Sequence, residues 1–430
     1  MVVTGRLAAL AALAAVVAVL VPSWLTVVVA TLVLAIAGFL DAALAGDAAE
    51  LTLTRPELTT VRLGRTGEVE LVAVNAGLRT MHATLWDDWP DSAGVENRTH
   101  RLRLAPKTTA RLATRVTPTV RGDRVAGAVT VRMVGPLGLA GRQTRHTVPA
   151  RVRALPPFRS ERLLRSKVRR LRHLEGSNVA DRRGQGSEFD SFREYVPGDD
   201  VRAIDWRATA RATDVLVRTW RPERNRHILM LLDTGRTSAG LVGSSTRLDA
   251  SIEAALLLGA LAAAGGDTVD LLAYDSVPRA EMRGVGGKNL PTKLMHAMAG
   301  LTPTLVDTDI AAMVRAALQR ARRGSLIVWF TTLDHATVEE NLLPALPALQ
   351  QRHRVLIVSV TDPDIAEAAT RRETLDDLYT AAAAETILTD RAQAQDSLRH
   401  KAIAVITTTP THLPDALADE YLERKRSATL

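Results

Sequence analysis

The most constraining feature of this 430-residue sequence is a long uncharged run near its beginning. From Leu7 to Leu40, 34 consecutive residues contain no Asp, Glu, Lys, Arg or His. A membrane-spanning helix needs about 20 apolar residues, so the run is too long for one span and slightly short for two. Pro22 and Ser23 lie near its middle, and proline interrupts helices. We therefore expect a transmembrane hairpin, with helices at about 7–21 and 24–40, and contact with the lipid bilayer through residues 7–40.

Two alternatives to the hairpin are a cleaved signal peptide and one long tilted helix. A signal peptide should end at a small-residue cleavage site followed by polar chain, whereas here a second apolar stretch follows at once. A hairpin places both of its flanks on one side of the membrane. Its flanking charges give a weak orientation signal, but the uncharged turn at Pro22 translocates easily. We expect a multi-pass protein of the cell membrane with its soluble body in the cytoplasm.

The predicted hairpin occupies residues 1–46. The sequence that follows it has the pattern of short β-strands. Apolar and polar residues alternate in several segments separated by turn residues, which are typical of a small β-sandwich. We assign residues 47–155 to this domain, and we find no catalytic constellation in it. The segments are 51–54, 69–75, 101–104, 111–116 and 129–134.

The basic charge of the chain is concentrated in one segment. The formal net charge is +8, and residues 151–186 contain eleven Lys or Arg against three Asp or Glu, which is also +8. Within it, Leu164, Val168 and Leu171 have the spacing of one helix face surrounded by arginine. Such a basic helix can contact anionic lipid, here through residues 159–174, bind an acidic partner, or pack on its own domain with a solvated basic face. Nucleic acid is disfavoured because the helix has no aromatic residue for base stacking.

Residues 226–430 have the pattern of an α/β domain. Five apolar runs, at 228–233, 268–273, 326–330, 355–360 and 404–406, are separated by helical segments, which is typical of a doubly wound parallel sheet. A capping-box pattern, Thr246 with Asp249, opens one of the helices. The chain has no Cys, no phosphate-binding loop and no Gly-x-Ser-x-Gly motif, so we expect that it is not an enzyme.

The segment 156–225, between the sandwich and the α/β domain, contains the basic helix and a stretch in which aromatic residues and charges of alternating sign are interleaved. The residues that stand out in this stretch are Glu188, Phe189, Arg193, Glu194, Tyr195, Pro197, Gly198, Asp199, Asp200, Arg202, Asp205, Trp206 and Arg211. With these residues the stretch resembles the domain-of-unknown-function family fifty-eight, a group of bacterial membrane proteins associated with MoxR-type AAA+ ATPases. The resemblance implies protein partners, including such an ATPase. Two interpretations of the stretch remain, a structural lattice of ion pairs and a surface that a partner contacts.

Asp233 ends the first apolar strand and is followed by Thr237, while Thr308 precedes a helix and Asp334 follows the strand at 326–330. These residues resemble the metal site of the von Willebrand factor A domain, which holds a divalent ion at the carboxyl end of its sheet. The resemblance implies a fold of that type and a Mg²⁺ site. One hydroxyl position expected in that pattern is Gly235, and Thr332 stands where the distant carboxylate is expected, with Asp334 two residues later. We therefore expect a degenerate site, weak or vestigial, and no other cofactor.

Two classes of function follow from these features. The first is a membrane-anchored adaptor or scaffold that binds protein partners and works with a MoxR-type ATPase in the assembly or maturation of a protein complex. The alternative is a metal-dependent enzyme that uses Asp233, Asp334 and the Asp199-Asp200 pair. A requirement of the purified protein for a divalent ion would distinguish them.

Overall fold

The computed structural model describes residues 2–181, 188–221 and 226–427, and it describes the side chains of these residues except those of 175–181, 188–190 and 219–221. The chain divides into two compact units, Met1–Pro157 and Phe158–Leu430. The basic helix and the stretch resembling the family, which the sequence analysis set apart as 156–225, therefore belong to the same unit as the α/β sheet.

The first unit begins with two apolar helices, α1 (Gly5–Leu20) and α2 (Trp24–Leu44). They contact each other, and the chain reverses between them at Val21–Ser23, so a single long helix is not formed. The segment Trp24–Glu50, which contains α2, is long and apolar enough to cross a membrane, and α1 is apolar but shorter. A segment of this composition near the start of a chain occurs in membrane anchors and in signal sequences alike.

Eleven strands make up the β part of the first unit. They form a five-stranded sheet in the order β1-β10-β9-β5-β6 and two three-stranded sheets, β2-β4-β7 and β3-β11-β8. Inward side chains alternate with outward ones, and Leu71, Met81 and Leu85 are fully buried between the sheets. The strands are β1 Val2–Val3, β2 Leu51–Thr54, β3 Leu58–Arg62, β4 Gly67–Asn75, β5 Met81–Asp87, β6 Thr99–Leu104, β7 Thr109–Val116, β8 Gly122–Val125, β9 Val129–Val134, β10 Ala140–His146 and β11 Arg151–Leu155.

Both apolar helices are attached to the turn between β9 and β10. Before α1, the Thr4 hydroxyl donates to the carbonyl oxygens of Gly138 and Leu139, at 2.6 and 2.9 Å. Near the end of α2, the buried Asp41 carboxylate accepts hydrogen bonds from the backbone N–H groups of Leu137, Leu139 and Ala140, at 2.7, 2.7 and 3.0 Å. The start of α1 and the end of α2 therefore lie at the same turn of the β-sandwich.

The second unit is built on a six-stranded sheet in the order β18-β17-β14-β19-β20-β21. All neighbouring pairs are parallel except β17 with the edge strand β18. Each of the five apolar runs in the sequence forms a strand, and β18 is an additional one. The strands are β12 Glu188–Glu194, β13 Leu216–Arg221, β14 His227–Asp233, β15 Leu241–Val242, β16 Ser245–Thr246, β17 Thr268–Tyr274, β18 Pro278–Val285, β19 Leu326–Phe330, β20 Arg354–Val360 and β21 Ala404–Thr408.

Helices cover the sheet, and the central helix α5 is buried along most of its length. The capping box at its start, Thr246 with Asp249, is confirmed. The basic helix α3 contacts α5 and α12. The helices are α3 Glu161–Asp181, α4 Trp206–Thr209, α5 Arg247–Ala264, α6 Leu290–Ala299, α7 Ile310–Arg320, α8 His335–Thr337, α9 Leu343–Gln350, α10 Pro363–Ala368, α11 Leu375–His400 and α12 Leu413–Arg426.

Candidate functional site at the carboxyl edge of the sheet

The sheet has a topological switch point beside β14. Its neighbours are β17 on one side and β19 on the other. The chain continues from β14 to β17 and from β19 to β20, so the connections that follow the adjacent strands β14 and β19 lead away in opposite directions. In open α/β sheets, ligands bind in the crevice outside the carboxyl ends of the strands at such a point. Asp233 is the last residue of β14 and lies at this position.

Both carboxylate oxygens of Asp233 are occupied by neutral hydrogen-bond donors. The Oδ1 atom accepts from the Gly235 N–H at 2.9 Å and from the Thr308 hydroxyl at 2.5 Å, and Oδ2 accepts from the Thr331 hydroxyl at 2.9 Å. Burial raises the pKa of Asp233, and these hydrogen bonds oppose the increase without reversing it. We call Asp233, Gly235, Thr308 and Thr331 the Asp233 cage.

The absence of a side chain at residue 235 is required by the close packing of the cage. A Cβ atom at Gly235 would lie 2.2 Å from the Thr308 hydroxyl oxygen and 2.9 Å from the Val306 carbonyl oxygen. A serine here, which the metal-binding pattern expects, would displace Thr308. The hydroxyl of Thr308 thus occupies the space beside Asp233 that the missing side chain would need.

A second buried carboxylate, Asp275, lies close enough to Asp233 to affect its titration. Burial alone would raise the pKa of Asp275, but the Arg279 guanidinium, the Thr304 hydroxyl and the backbone N–H groups of Val277 and Ser276 lower it to about 2. The Arg279 Nε atom lies 2.6 Å from Asp275 Oδ2. Asp275 is therefore an ionised, fully paired group, whereas Asp233 has no positively charged partner among the hydrogen bonds of its cage.

The structure brings together only part of the predicted metal-ligand set. Asp233 and Thr308 are in contact, but Asp334 accepts a hydrogen bond from Thr337 N at 2.9 Å and caps α8. Thr331, and not Thr332, reaches Asp233, because the Thr332 hydroxyl points to the Thr237 carbonyl oxygen at 3.4 Å. Asp334 is thus engaged at the start of α8 and is not part of the Asp233 cage. Among the described residues there is no group of three or more His, Asp or Glu side chains that could hold a metal ion.

The donor set of the cage fits a hydrogen-bonded carboxyl group better than the coordination shell of Mg²⁺. Mg²⁺ requires near-octahedral oxygen geometry and dehydrates reluctantly, so a site usually offers it one or two accessible carboxylates. Here one buried carboxylate is available, and the hydroxyls of Thr308 and Thr331 already donate to it. A bound ion would have to replace these hydrogen bonds.

Three loops surround the cage and are joined by backbone hydrogen bonds. The Arg236 N–H donates to the Val306 carbonyl at 2.8 Å, and the Asp309 N–H donates to the Asp275 carbonyl at 2.9 Å. Exposed apolar side chains occur in and next to these loops: Leu305 is 81% exposed, and Leu241, in strand β15 after the first loop, is 68% exposed. These exposed residues are not predicted in the sequence analysis. The sequence feature that could have indicated them is the apolar pair 305–306, which lies between Pro303 and Asp307. We call Leu241, Val277, Leu305 and Val306 the apolar rim.

The stretch that resembles the family folds as a β-hairpin, β12 with β13, closed by a turn and two short helices. Arg193 and Asp199 form a bidentate pair at 2.7 and 2.5 Å, and Asp199 also accepts from Val196 N. Arg193 is 44% exposed, so the pair is a surface pair. Asp199 and Asp200 are engaged locally, since Asp200 accepts from Arg202 N at 2.9 Å.

Asp205 is the buried ionic residue of this hairpin. Its Oδ1 atom caps α4 by accepting from Arg207 N and Ala208 N, and its Oδ2 atom accepts from Arg218 Nε at 2.6 Å. The backbone hydrogen bond from Ala208 and the Arg218 guanidinium lower the pKa of Asp205. Asp205 therefore fixes β13 to the start of α4, which is a structural role.

Other residues of the hairpin point outward. Trp206 is 68% exposed, and Val196 and Val201 are also exposed. The side chains of Glu188 and Phe189 lie outside the described residues. The remaining positions are Glu194, Pro197, Gly198, Arg202 and Arg211, which are exposed, and Tyr195, which is half-buried. The hairpin thus combines internal ion pairs with an outer surface that carries both charged and apolar side chains.

One Ser-His-Asp arrangement lies at the opposite, amino-terminal edge of the sheet. His227 Nδ1 is 2.7 Å from Ser325 Oγ, and His227 Nε2 is 3.1 Å from Asp270 Oδ2. All three residues are buried, with Ser325 only 1% exposed, and the Ser325 hydroxyl donates to a backbone carbonyl oxygen. A catalytic nucleophile must be accessible to its substrate, and Ser325 is not, so this cluster is not a catalytic site. Its hydrogen bonds link three neighbouring strands near their starts.

These features define a class of protein in which apolar N-terminal helices and a β-sandwich precede an α/β unit with a carboxylate at its switch point. The chain belongs to the family described as protein of unknown function DUF58, whose sequence profile matches residues 191–404. The matched region starts in the hairpin that carries Arg193 and Asp205 and extends to the last strand of the sheet.

Similar proteins come from mycobacteria. Uncharacterized protein Rv1480 of Mycobacterium tuberculosis and uncharacterized protein Mb1516 of Mycobacterium bovis are each 27% identical to the chain over 192 residues. The match covers 44% of this chain and 60% of each relative, which is less than two thirds of their length.

Solved structures resemble a smaller part of the chain. The PapD-like domain 7 of human CEP192 is 16% identical and covers 25% of this chain and 85% of its own, with a TM-score of 0.19. The YadV chaperone is 14% identical and covers 35% of this chain and 75% of its own, also with a TM-score of 0.19. TM-scores this low carry no argument about fold or function.

Proposed function

We propose that the chain is a membrane-anchored adaptor whose α/β unit, a von Willebrand factor A-like domain, holds protein partners at the carboxyl edge of its sheet. The observation that carries the proposal is the apolar rim at the carboxyl edge of the sheet. Its four exposed side chains lie on segments at this edge, two of which are loops joined by a backbone hydrogen bond, and the edge beside a switch point is where open α/β sheets bind their ligands. Asp233 is buried, and both of its carboxylate oxygens are already engaged by hydrogen-bond donors, which favours binding over catalysis.

The membrane anchor in this proposal is a hairpin in which both α1 and α2 cross the bilayer. Support comes from the attachment of Thr4 and Asp41 to the same turn, which puts both outer helix ends on one side. At 1.5 Å per residue, the 16 residues of α1 and the 21 residues of α2 extend about 24 and 31 Å, against a hydrocarbon core of about 30 Å. The soluble body then lies on the cytoplasmic side.

The partner proposed for the adaptor is a MoxR-type AAA+ ATPase together with the protein complex that it assembles. The choice of ATPase rests on the family resemblance of residues 188–211. The outward apolar side chains of Val196, Val201 and Trp206 support a partner contact in this hairpin, whereas Arg193 and Asp205 are occupied within it.

The test of the proposal is binding by variants of the rim. Full-length protein in detergent is mixed with the purified MoxR-type ATPase of the same organism in the presence of nucleotide, and the bound fraction is measured. We expect Leu241→Ser with Leu305→Ser to reduce the affinity at least about tenfold, because buried apolar contact is lost. Leu78→Ser with Val125→Ser, at exposed apolar positions of the first unit, is the matched control. Equal binding by the rim variant and the parent would contradict the proposal.

A further inference from the structure

One face of helix α3 packs on the second unit and forms ion pairs with it. Leu171 is buried, and Lys167 lies 2.7 Å from Asp415 and 2.8 Å from Asp419, both on α12. Arg170 also pairs with Asp419, at 2.7 Å. The positive charges on this face are therefore neutralised within the second unit.

The opposite face of α3 carries four arginines, Arg162, Arg165, Arg169 and Arg172, which we call the arginine face. At about 100° per residue they lie within an arc of about 80°, on the side away from Leu171, along roughly 15 Å of helix. All four are exposed. None of them forms an ion pair with another of the described residues, although the acidic side chain of Glu161 is in the first turn of the same helix.

Four like charges in a row repel one another, and the packing of α3 on α12 does not require them. An anionic membrane surface attracts such a cluster with a gain of about fivefold in binding per arginine, and the attraction decays over a Debye length of about 8–10 Å. The chain carries its own apolar membrane segment, so the local concentration of lipid around the arginine face is high. A nucleic acid would instead favour aromatic residues among the arginines, and residues 161–174 contain none.

We propose that the arginine face of α3 binds the anionic phospholipid surface of the membrane in which the chain is anchored. This inference rests on the membrane anchoring of the proposed function, but not on the apolar rim or on the ATPase. It assigns two lipid contacts to the chain, a permanent one through the apolar helices and a second one through α3 that depends on lipid charge and on salt.

The experiment uses the full-length chain in nanodiscs. Because the sequence has no Cys, Ser166→Cys introduces a single labelling site on the exposed side of α3, beside the arginine face. A fluorophore at this position is quenched by nitroxide attached to lipid headgroups. Nanodiscs of neutral phosphatidylcholine are compared with nanodiscs in which about a third of the lipid is phosphatidylglycerol, at about 0.1 M and at about 0.5 M NaCl.

We expect at least threefold stronger quenching in the anionic nanodiscs at low salt, and no difference between the two lipids at high salt. Replacement of Arg162, Arg165, Arg169 and Arg172 by Gln should abolish the difference. The matched control replaces four exposed arginines at other sites, Arg101, Arg103, Arg315 and Arg323, by Gln and should behave like the parent. The labelled parent and both variants must elute with the nanodiscs, which reports the anchoring separately from the arginine face.

Three results would overturn the inference. The first is equal quenching in neutral and anionic nanodiscs; if the chain then also binds a 30-nucleotide RNA tightly and the quadruple variant loses this binding, the face is assigned to nucleic acid. The second is an equal loss of quenching in the quadruple variant and its matched control. The third is elution of the chain without nanodiscs, which would contradict the anchoring itself and with it the inference.

Discussion

Asp233 and Asp275 are two neighbouring buried carboxyl groups whose surroundings shift their pKa values in opposite directions. Burial raises the pKa of Asp233, so its ionised form costs stability in the folded state, and this cost is relieved as the pH falls toward the pKa of the unfolded chain. Asp275 has a folded pKa of about 2, below its usual value of 3.8, so it stabilises the fold above about pH 4 and loses this contribution between pH 4 and 2. The two residues should therefore respond differently to neutralisation.

The residue-scale prediction is that Asp233→Asn and Asp275→Asn change stability with opposite signs. At pH 7 we expect Asp233→Asn to melt at or above the temperature of the parent, with a gain that is larger above the raised pKa of Asp233 than below it. Asp275→Asn should lose roughly 2 kcal/mol over the whole range from about pH 5 to 8, because its folded pKa lies far below it. Thermal unfolding followed by circular dichroism measures both. A clear destabilisation by Asp233→Asn at every pH would mean that the ionised carboxylate has a partner or a ligand.

From the hydrogen bonds of the Asp233 cage we also predict that Mg²⁺ has no measurable effect on the thermal stability of the protein. A site with a Kd of about 10 µM would stabilise the protein by about 2.7 kcal/mol at about 1 mM ion. We expect melting curves with millimolar Mg²⁺ and with chelator to overlap, because the hydroxyls of Thr308 and Thr331 already occupy the Asp233 oxygens. An upward shift with Mg²⁺ that Asp233→Asn abolishes would establish a working metal site.

At the scale of elements, the β12–β13 hairpin contains two Arg–Asp pairs of unequal importance. Arg193 and Asp199 lie at the surface, where an ion pair contributes little. Asp205 is buried, caps α4 and binds Arg218, so its removal leaves two backbone N–H groups and a guanidinium without their acceptor.

We therefore predict that Asp205→Ala lowers the melting temperature by several degrees, whereas Arg193→Ala lowers it by about one degree or less. Both variants are compared with the parent in the same detergent, with Arg211→Ala as an exposed control in the same hairpin. Equal losses for Arg193→Ala and Asp205→Ala would mean that the surface pair contributes as much as the buried cap.

The strands of the second unit could be predicted because parallel strands covered on both faces need continuous apolar sequence. All seven residues of β14 are buried, and the helix start at Thr246 has a local capping signature. The edge strand β18 was missed because only one of its faces is covered. Its sequence from Pro278 to Val285 contains two arginines and a glutamate and has no continuous apolar run.

The contacts of the candidate site could be predicted only in part, because they depend on loop conformation. The sequence places hydroxyl residues at 331 and 332, but which of them faces Asp233 is decided by the direction in which the chain leaves β19. The apolar rim is likewise formed by strand β15 and two loops that are distant from it in sequence. Its residues, such as Leu241 and Leu305, have no periodic pattern that would distinguish a surface cluster from isolated apolar residues.

At the scale of the whole molecule, the proposed transmembrane hairpin predicts a membrane protein that keeps its N-terminal residues. We expect the full-length chain to stay in the membrane fraction after washing with 1 M NaCl, because burial in hydrocarbon is insensitive to salt. Mass spectrometry of the purified protein should find residues 2–25 still present. Release into the soluble fraction, or loss of about the first 25 residues by processing, would contradict the hairpin.

The attachment of Thr4 and Asp41 to one turn has a consequence for the order in which the chain is made. Thr4 can form its hydrogen bonds only after Gly138 and Leu139, 134 and 135 residues later in the chain, have been synthesised. A ribosome that adds about 5–20 residues per second needs roughly 7–30 s to reach them. By then both apolar helices have left the ribosome. We therefore expect membrane insertion to precede closure of the β-sandwich, so that β1, the first strand to be synthesised, is among the last to be paired. The nascent sandwich would then complete its five-stranded sheet at the membrane surface and not in free solution.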